Sequence, residues 1–509
     1  MYAQVHTAGL FGLNAFPVDV EIEASTGLES FDIVGLADAS VRESRDRIKS
    51  AFRVTGVQFP KAKVLINLAP ADTRKTGSGF DLAITMALLR VMGVVKEEVL
   101  ADSMFFGEVA LNGDIRPISG ILPLTILAKK QGCRRVFVPY ENAKEASCIR
   151  GIEVYGAKHI RNMILHFNDR ELIEIAKPYE PTDSSFFSSL DFKDVKGQQS
   201  AKFALEIAAA GGHNVLMIGA PGSGKSMLAK RIPSILPKMT FDESIEATNI
   251  HSVAGLVDKD EPLIIRRPFR SPHHTVSTAG LAGGGSVPRP GEVSLAHGGV
   301  LFLDELPEFS RQALELLRQP LEDKKVTIAR AAGSVTYPCS FMLIAAMNPC
   351  PCGYFGHPSG RCKCSMKQIH SYLSRISGPM LDRFDLHVDV PSVEYSELSS
   401  ELKEEPSEAI RQRVQAARDI QNKRFEGTAI TCNANITSDL ISEVCVMNDK
   451  AKDMLGKVFD KLGLSARAYD KILKVARTLA DMAGREVIDS KDIGSAVQFR
   501  SLDRKYWSV

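Results

Sequence analysis

The sequence predicts an α/β chain in three parts: an α+β unit, a parallel sheet with helices on both faces, and a helical unit. Three observations predict it. Short strand-like runs alternate with helical patterns through the first third of the chain. Apolar runs at 215–218, 300–303 and 341–346 are separated by helical segments, the alternation expected of a buried parallel sheet. Beyond residue 394 only helical periodicity remains. With 509 residues, 44% hydrophobic and 24% charged, the chain has the length for several cores and a globular composition.

In the first unit, 1–177, runs at 63–67 and 135–139 read as strands and those at 40–53 and 80–92 as helices. Residues 178–190, rich in proline and serine, break every period and read as a linker. The second unit is 191–393, with a cysteine-rich insert at 349–377. The third, 394–509, holds amphipathic patterns at 407–425, 450–461 and 466–483 and a last segment capped by Ser490, and reads as a small helical lid. The formal net charge of +2 gives no global basic field, so a nucleic-acid partner has to meet local basic loops. The first residues lack a basic segment leading into an apolar core. No apolar run approaches the roughly 20 residues of a membrane span, so a cytoplasmic chain with no membrane partner is expected. Nine cysteines, four of them between 350 and 364, fit reduced thiols or metal ligands better than a disulfide framework.

The chemistry concentrates in the second unit. The apolar run ending at Ile218 leads into Gly219, Ala220, Pro221, Gly222, Ser223, Gly224, Lys225 and Ser226, and then, from Met227, into a helical pattern. This is G-x-x-x-x-G-K-S in its strand–loop–helix setting, a phosphate-cradling loop for ATP: Lys225 supplies charge to the β- and γ-phosphates and Ser226 a hydroxyl for Mg²⁺. The run 297–303 delivers Asp304 and Glu305 at a strand end, one to hold Mg²⁺ through water and the other to take a proton from the attacking water. Asn348, ending the third run, is placed to orient that water; an Asn-Pro turn is the alternative. Arg383 lies in an apolar setting on the far side of the unit, where it serves a neighbouring subunit's site as an arginine finger or pairs with Asp382 or Asp385. Arg467, opening a lid helix, is a contact to the γ-phosphate or a solvated helix arginine.

The strings FDIVGL (31–36), RESR (42–45), NLAPAD (67–72), GEVAL (107–111), PFRSPHH (268–274), GEVSLAH (291–297) and NPCPCG (348–353) carry a resemblance that spans nearly the whole chain. It resembles the ComM/YifB family of magnesium-chelatase-like AAA+ ATPases, bacterial proteins that include a hexameric DNA branch-migration helicase linked to transformation. The resemblance implies Walker A roles for Lys225 and Ser226, Walker B roles for Asp304 and Glu305, sensor 1 for Asn348, the finger for Arg383 and sensor 2 for Arg467. It implies a hexameric ring whose insertions at 269–290 and 326–337 face the pore. Arg270, Arg289 and Arg330 would there meet the phosphates of single-stranded or branched DNA, with recombination or natural transformation as the setting. Remodelling of a protein partner by a chelatase-like ATPase is the alternative, and an ATP-dependent protease a further one.

The first unit resembles the proteolytic domain of Lon, a ribosomal S5 domain 2-like α+β fold, through NLAPAD, GFDLAITM (79–86) and GEVALNG (107–113). Lon proteases use a serine activated by a lysine. Here Asp81 stands at the serine's position and GILPL (120–124) where the lysine belongs, so the unit reads as noncatalytic. Cys350, Cys352, Cys362 and Cys364 form C-x-C-x9-C-x-C, which suits a structural Zn²⁺; reduced thiols packing a loop and a redox-sensitive pair are the alternatives.

Overall fold

The protein is a computed structural model, described over residues 1–96, 100–181, 190–285, 288–330, 333–393, 404–500 and 502–507. Most of the expected linker, 182–189, and the expected start of the lid, 394–403, lie outside the described residues.

Residues 1–177 are organised around a seven-stranded mixed sheet, in spatial order Ser30–Val34, Lys63–Ala69, Asn14–Ser25, Tyr2–Phe11, Ser103–Phe105, Arg135–Pro139 and Glu153–Ala157. The two long strands form an antiparallel hairpin with Phe11 opposite Asn14. Val18, Val20 and Ile22 are buried at alternate positions, and the acidic residues between them face away from the core. Helix Asp81–Val91 packs on this hairpin and buries every residue except Arg90, so its sequence reads apolar all round.

The second sheet has five parallel strands, in spatial order Phe269–Arg270, Val300–Leu303, Met342–Met347, Val215–Ile218 and Leu386–Asp389. Every residue of the three middle strands is buried, which makes them continuous apolar runs in the sequence. The first strand in chain order lies between the fourth and fifth, so the strand order reverses beside it. Ligands of open α/β sheets sit at the carboxyl edge of such a point. Gly219, Asp304 and Asn348 each follow a strand at that edge.

Helices Ser407–Arg424, Asp449–Leu462, Ala466–Met482, Ser490–Gln498 and Leu502–Trp507 make up the C-terminal part. The first four share one core with helix Gln199–Gly211 and one face of the five-stranded sheet, Ile472, Leu473 and Ala476 packing in the same cluster as Ile207 and Val215, while Leu502 and Tyr506 pack in a separate cluster with Leu216 and Ile218. Helix Ser490–Gln498 corrects one expectation. Its cap is Asp489, which bonds the Ser490 amide and exchanges a capping box with Asp492; Ser490 is the first helical residue. The two sheets are also tied together. Phe11 and Leu13 at the hairpin tip pack into a cluster with Val335 and Tyr337, and Glu145 accepts a hydrogen bond from Ser252 on helix Phe241–Ala254. None of the described helices is long and apolar enough to cross a membrane.

Candidate active site

The loop 219–224 leaves the buried strand Val215–Ile218 and turns into helix Lys225–Arg231. Gly222 and Gly224 make the turn in the left-handed region, at φ 76° and 87°. At Gly219 a side chain has no room, since a Cβ would stand 2.3 Å from the Val390 carbonyl oxygen. Ala220 is buried beneath the loop and Met227 packs on the core. The Lys225 Nζ donates to the carbonyls of Gly219 at 2.8 Å and Ala220 at 2.9 Å, and to Asn348 Oδ1 at 3.2 Å. Burial lowers the pKa of this ammonium, and the Asp304 carboxylate acts to raise it.

Three adjacent strand ends bring the polar groups together. Ser226 Oγ donates to Asp304 Oδ2 at 2.5 Å. Asn348 ends the strand between those of Lys225 and Asp304, so it reaches the lysine directly. Glu305 sits at φ 53° and ψ 48°, a left-handed conformation that is costly for a residue with a side chain. Its carboxylate is 58% exposed and lies 3.4 Å from His274 Nδ1. Beside it opens a cleft of about 620 Å³ lined by Glu305, Asn348, Lys367, Tyr372 and Arg375.

Arg383 and Arg467 lie elsewhere. Val215 pairs with Leu386 and Ile218 with Asp389, so Arg383, which precedes Leu386, is at the amino edge of the sheet. A four-residue strand, about 13 Å long, separates it from the phosphate loop of its own chain. Its side chain is 11% exposed and its guanidinium pairs with Glu322, not with Asp382 or Asp385. Arg467, assigned from the sequence to the γ-phosphate, pairs with Asp382 at 3.5 Å, next to Arg383 and away from the phosphate loop of its own chain. The reason is the packing of helix Ala466–Met482 along helix Gln199–Gly211, which brings its first turns to the 382–385 loop, where Lys471 bonds the Phe384 carbonyl.

The two insertions form neighbouring ladders. Gly283–Gly284 pairs with Arg289–Pro290, and Lys325–Arg330 pairs with Gly333–Pro338 as a hairpin. Tyr337 Oη joins them through the Pro288 carbonyl at 2.8 Å. Arg289 and Arg330 are exposed on this unit, whereas Arg270 is half-buried in a two-point pair with Glu292 at 2.6 and 2.7 Å. That pairing leaves Arg270 poorly placed for a phosphate. Ala331 and Ala332 lie outside the described residues, as do Ser286 and Val287.

In the first unit Asp81, which opens helix Asp81–Val91 against the seven-stranded sheet, is fully buried and saturated. It accepts from Arg47 Nε at 2.7 Å, Arg47 Nη2 at 3.0 Å, the Val109 amide at 3.2 Å and Ser44 Oγ. Residues 121–124 open helix Ile121–Lys130 as buried Ile, Leu, Pro and Leu, with no ionisable group at the position of a lysine base. The four clustered cysteines lie with all sulfurs within 4.8 Å of one another. Cys148, Cys339, Cys432 and Cys445 are buried and Cys133 half-buried as packing residues.

Sequence reading missed three contributors. Gln198, at φ 55°, donates through its side-chain amide to the Ser223 carbonyl and so fixes the phosphate loop from outside it. His274 faces Glu305, and Tyr372 lines the cleft beside Asn348. All three act across the fold, and no local spacing marks them.

Comparison with known proteins gives one family throughout. Residues 191–398 match the family model described as magnesium chelatase, subunit ChlI; residues 20–142 match subunit ChlI of Mg-chelatase; residues 404–500 match magnesium chelatase, subunit ChlI C-terminal. Competence protein ComM of Haemophilus influenzae is 40% identical over 508 residues, covering 99% of this chain and 98% of the relative. Uncharacterized protein YifB of Escherichia coli is 40% identical over 501 residues, covering 98% and 97%. Lon protease 2 of Bacillus subtilis is 32% identical over 151 residues, 28% of this chain and 26% of that protein, a partial likeness.

Proposed function

The chain belongs to the ComM/YifB family of magnesium-chelatase-like AAA+ proteins, a class of ATPases, and from that premise we propose that it works as a hexameric ring that spends ATP to move along single-stranded or branched DNA, migrating branches in recombination or natural transformation. One observation carries the ring: the groups that would cradle nucleotide and the arginines that would answer them lie on opposite edges of one sheet. On this reading a single chain leaves its own site without those arginines. A second copy, presenting its amino edge to the carboxyl edge of the first, brings Arg383 and Arg467 to the phosphates.

Within each pocket Lys225 would move from the loop carbonyls to the β- and γ-phosphates. Ser226 and Asp304 would hold Mg²⁺, which neutralises phosphate charge. Glu305 takes the proton of the attacking water and Asn348 orients that water. Arg383, released from Glu322, stabilises charge on the transferring group. Residues 1–177 serve as a noncatalytic Lon-like unit joined by a linker at 178–190, 191–393 as the ATPase core and 394–509 as the helical lid. The saturated Asp81 supports the noncatalytic reading over an ATP-dependent protease. DNA as the substrate is supported by the name of the Haemophilus relative and by exposed Arg289 and Arg330 on the paired insertions.

Mixing tests the ring. Lys225→Ala chains and Arg383→Ala chains are each expected to be nearly silent, and together to regain part of the wild-type turnover at junctions where intact Lys225 meets intact Arg383. Mixed rings that stay silent would sink the shared site. The matches to magnesium chelatase subunit ChlI favour a second reading, remodelling of a protein partner. Turnover indifferent to single-stranded and branched DNA, with a protein client that stimulates it, would select that reading.

A further inference from the structure

We propose that Cys350, Cys352, Cys362 and Cys364 hold one zinc ion, and that this ion braces the hydrolysis side of the nucleotide pocket. The brace rests on the pocket assignment above; the metal site does not. The size of the thiol cluster argues for the metal. Sulfur–sulfur distances are 3.4 Å for Cys350–Cys352, 3.8 Å for Cys350–Cys362 and 3.7 Å for Cys352–Cys362. A tetrahedron with zinc–sulfur bonds of about 2.3 Å has edges of about 3.8 Å. A disulfide needs about 2.05 Å, and all four cysteines are free thiols. The loop is also built to carry thiolate charge. The Phe355 amide donates to Cys350 Sγ at 3.3 Å. Arg361 and Lys363 alternate with the last two cysteines, cations beside what would be a doubly negative centre.

What the loop touches argues for the brace. Cys350 follows Asn348 by two residues, so the first ligand anchors the strand end that carries the water-orienting amide. Gly353, at φ 84°, lies flat on the phosphate loop, where a Cβ would come within 2.3 Å of Pro221 Cδ. Immediately after Cys364, Ser365 caps helix Met366–Leu373 through a capping box with Gln368. That helix supplies Tyr372 to the cleft containing Glu305 and Asn348. One ion thus ties together the end of one strand, the roof of the phosphate loop and the helix across the cleft.

Full-length protein purified without chelator is expected to carry about one zinc per chain by mass spectrometry, and Cys352→Ser and Cys364→Ser to lose most of it. Stripping zinc with a chelator should raise amide hydrogen exchange in 219–226 and 347–353 and lower ATP turnover severalfold, and zinc alone should restore both. Gly353→Ala keeps all four thiols and is expected to retain zinc while weakening turnover, because its Cβ displaces Pro221. Metal-free protein overturns the site, and so does zinc that survives Cys352→Ser combined with Cys364→Ser. Exchange in 219–226 that ignores zinc removal overturns the brace. Protein that binds zinc and shows the exchange change yet never turns over ATP leaves this proposal standing and counts against the ATPase reading instead.

Discussion

Asp81, beside the seven-stranded sheet, and Glu305, beside the five-stranded sheet, are both carboxylates, and the structure treats them in opposite ways. Asp81 is out of contact with solvent, and its two oxygens are filled by a guanidinium, a hydroxyl and an amide. Glu305 is 58% exposed, held in a strained backbone conformation, and faces a histidine across 3.4 Å. A saturated carboxylate has no lone pair left for a substrate proton, so it can only hold the fold together. An open one beside a cleft is available for proton transfer. The same contrast separates Arg47, bound at two points to Asp81, from Lys225, whose partners are neutral carbonyl and amide oxygens that a phosphate outcompetes.

The largest effect expected from breaking this comparison is at Glu305. Glu305→Gln keeps the size and removes the carboxylate proposed as the base, so turnover should fall by roughly 10² to 10⁴ while ATP affinity holds. Steady-state hydrolysis beside equilibrium nucleotide binding checks both halves. A variant with near-normal turnover would move the base elsewhere, His274 being the nearest group.

Asp81→Ala comes next and should act on a different quantity. It leaves Arg47 without its buried partner, which costs about 3–5 kcal/mol. Denaturant unfolding should therefore show a large loss of stability in the first unit, with turnover per folded molecule unchanged. An Asp81→Ala protein as stable as the parent would remove the contrast on which the noncatalytic reading leans.

The pH dependence of two buried carboxylates sharpens the comparison further. Burial raises the pKa of Glu145 above the ordinary 4.5, outweighing the bonds from Ser252, Leu122 and Asn142 that lower it. Its stabilising contribution is complete below that ordinary value and is lost as pH rises through the raised one. Burial would also raise Asp385, but Lys471, His213 and the Asn214 amide hold it well below the ordinary 3.8. Its contribution is complete above that value and is lost only as pH falls through the depressed one. The contact between the two units at Glu145 and Ser252 should therefore loosen as pH rises above the ordinary carboxylate range, while the Asp385 junction holds. Region-resolved hydrogen exchange reads both, and Glu145→Gln should abolish the first trend.

How much of this was legible beforehand follows from range. The strands at Val215–Ile218 and Val300–Leu303 are buried on every side, so hydrophobic runs and strand ends coincide with the elements observed. The 219–226 loop and the Asp304–Glu305 pair are local strings, so their places after strands could be read directly. Phe269–Arg270, a strand of two residues, and Leu386–Asp389, which carries a buried histidine and an exposed aspartate, leave no periodic signal. The partners of Arg383 and Arg467 were also beyond reach. Glu322 lies 61 residues before Arg383, and Asp382 lies 85 before Arg467, so only the folded sheet joins them.

The smallest effect carries the contrast between filled and open groups to a helix end. Asp489 accepts from the Ser490 amide at 2.7 Å and from Asn448 Nδ2 at 3.0 Å, and Asp492 returns a bond to the Asp489 amide at 2.9 Å. Local sequence does not separate Ser490 from Asp489 as the cap, because serine is as good a cap as aspartate and the two are adjacent. The capping box decides between them, since it needs an acidic or amide side chain three residues on, and Asp492 stands in that relation to Asp489. Asp489→Ala should speed amide exchange in Ser490–Gln498 roughly severalfold, whereas Ser490→Ala should leave it near the parent rate. The reverse order would return the cap to Ser490. Equal rates in both variants would mean that burial of Ile493 and Ala496 against the shared core, and not its cap, holds this helix in place.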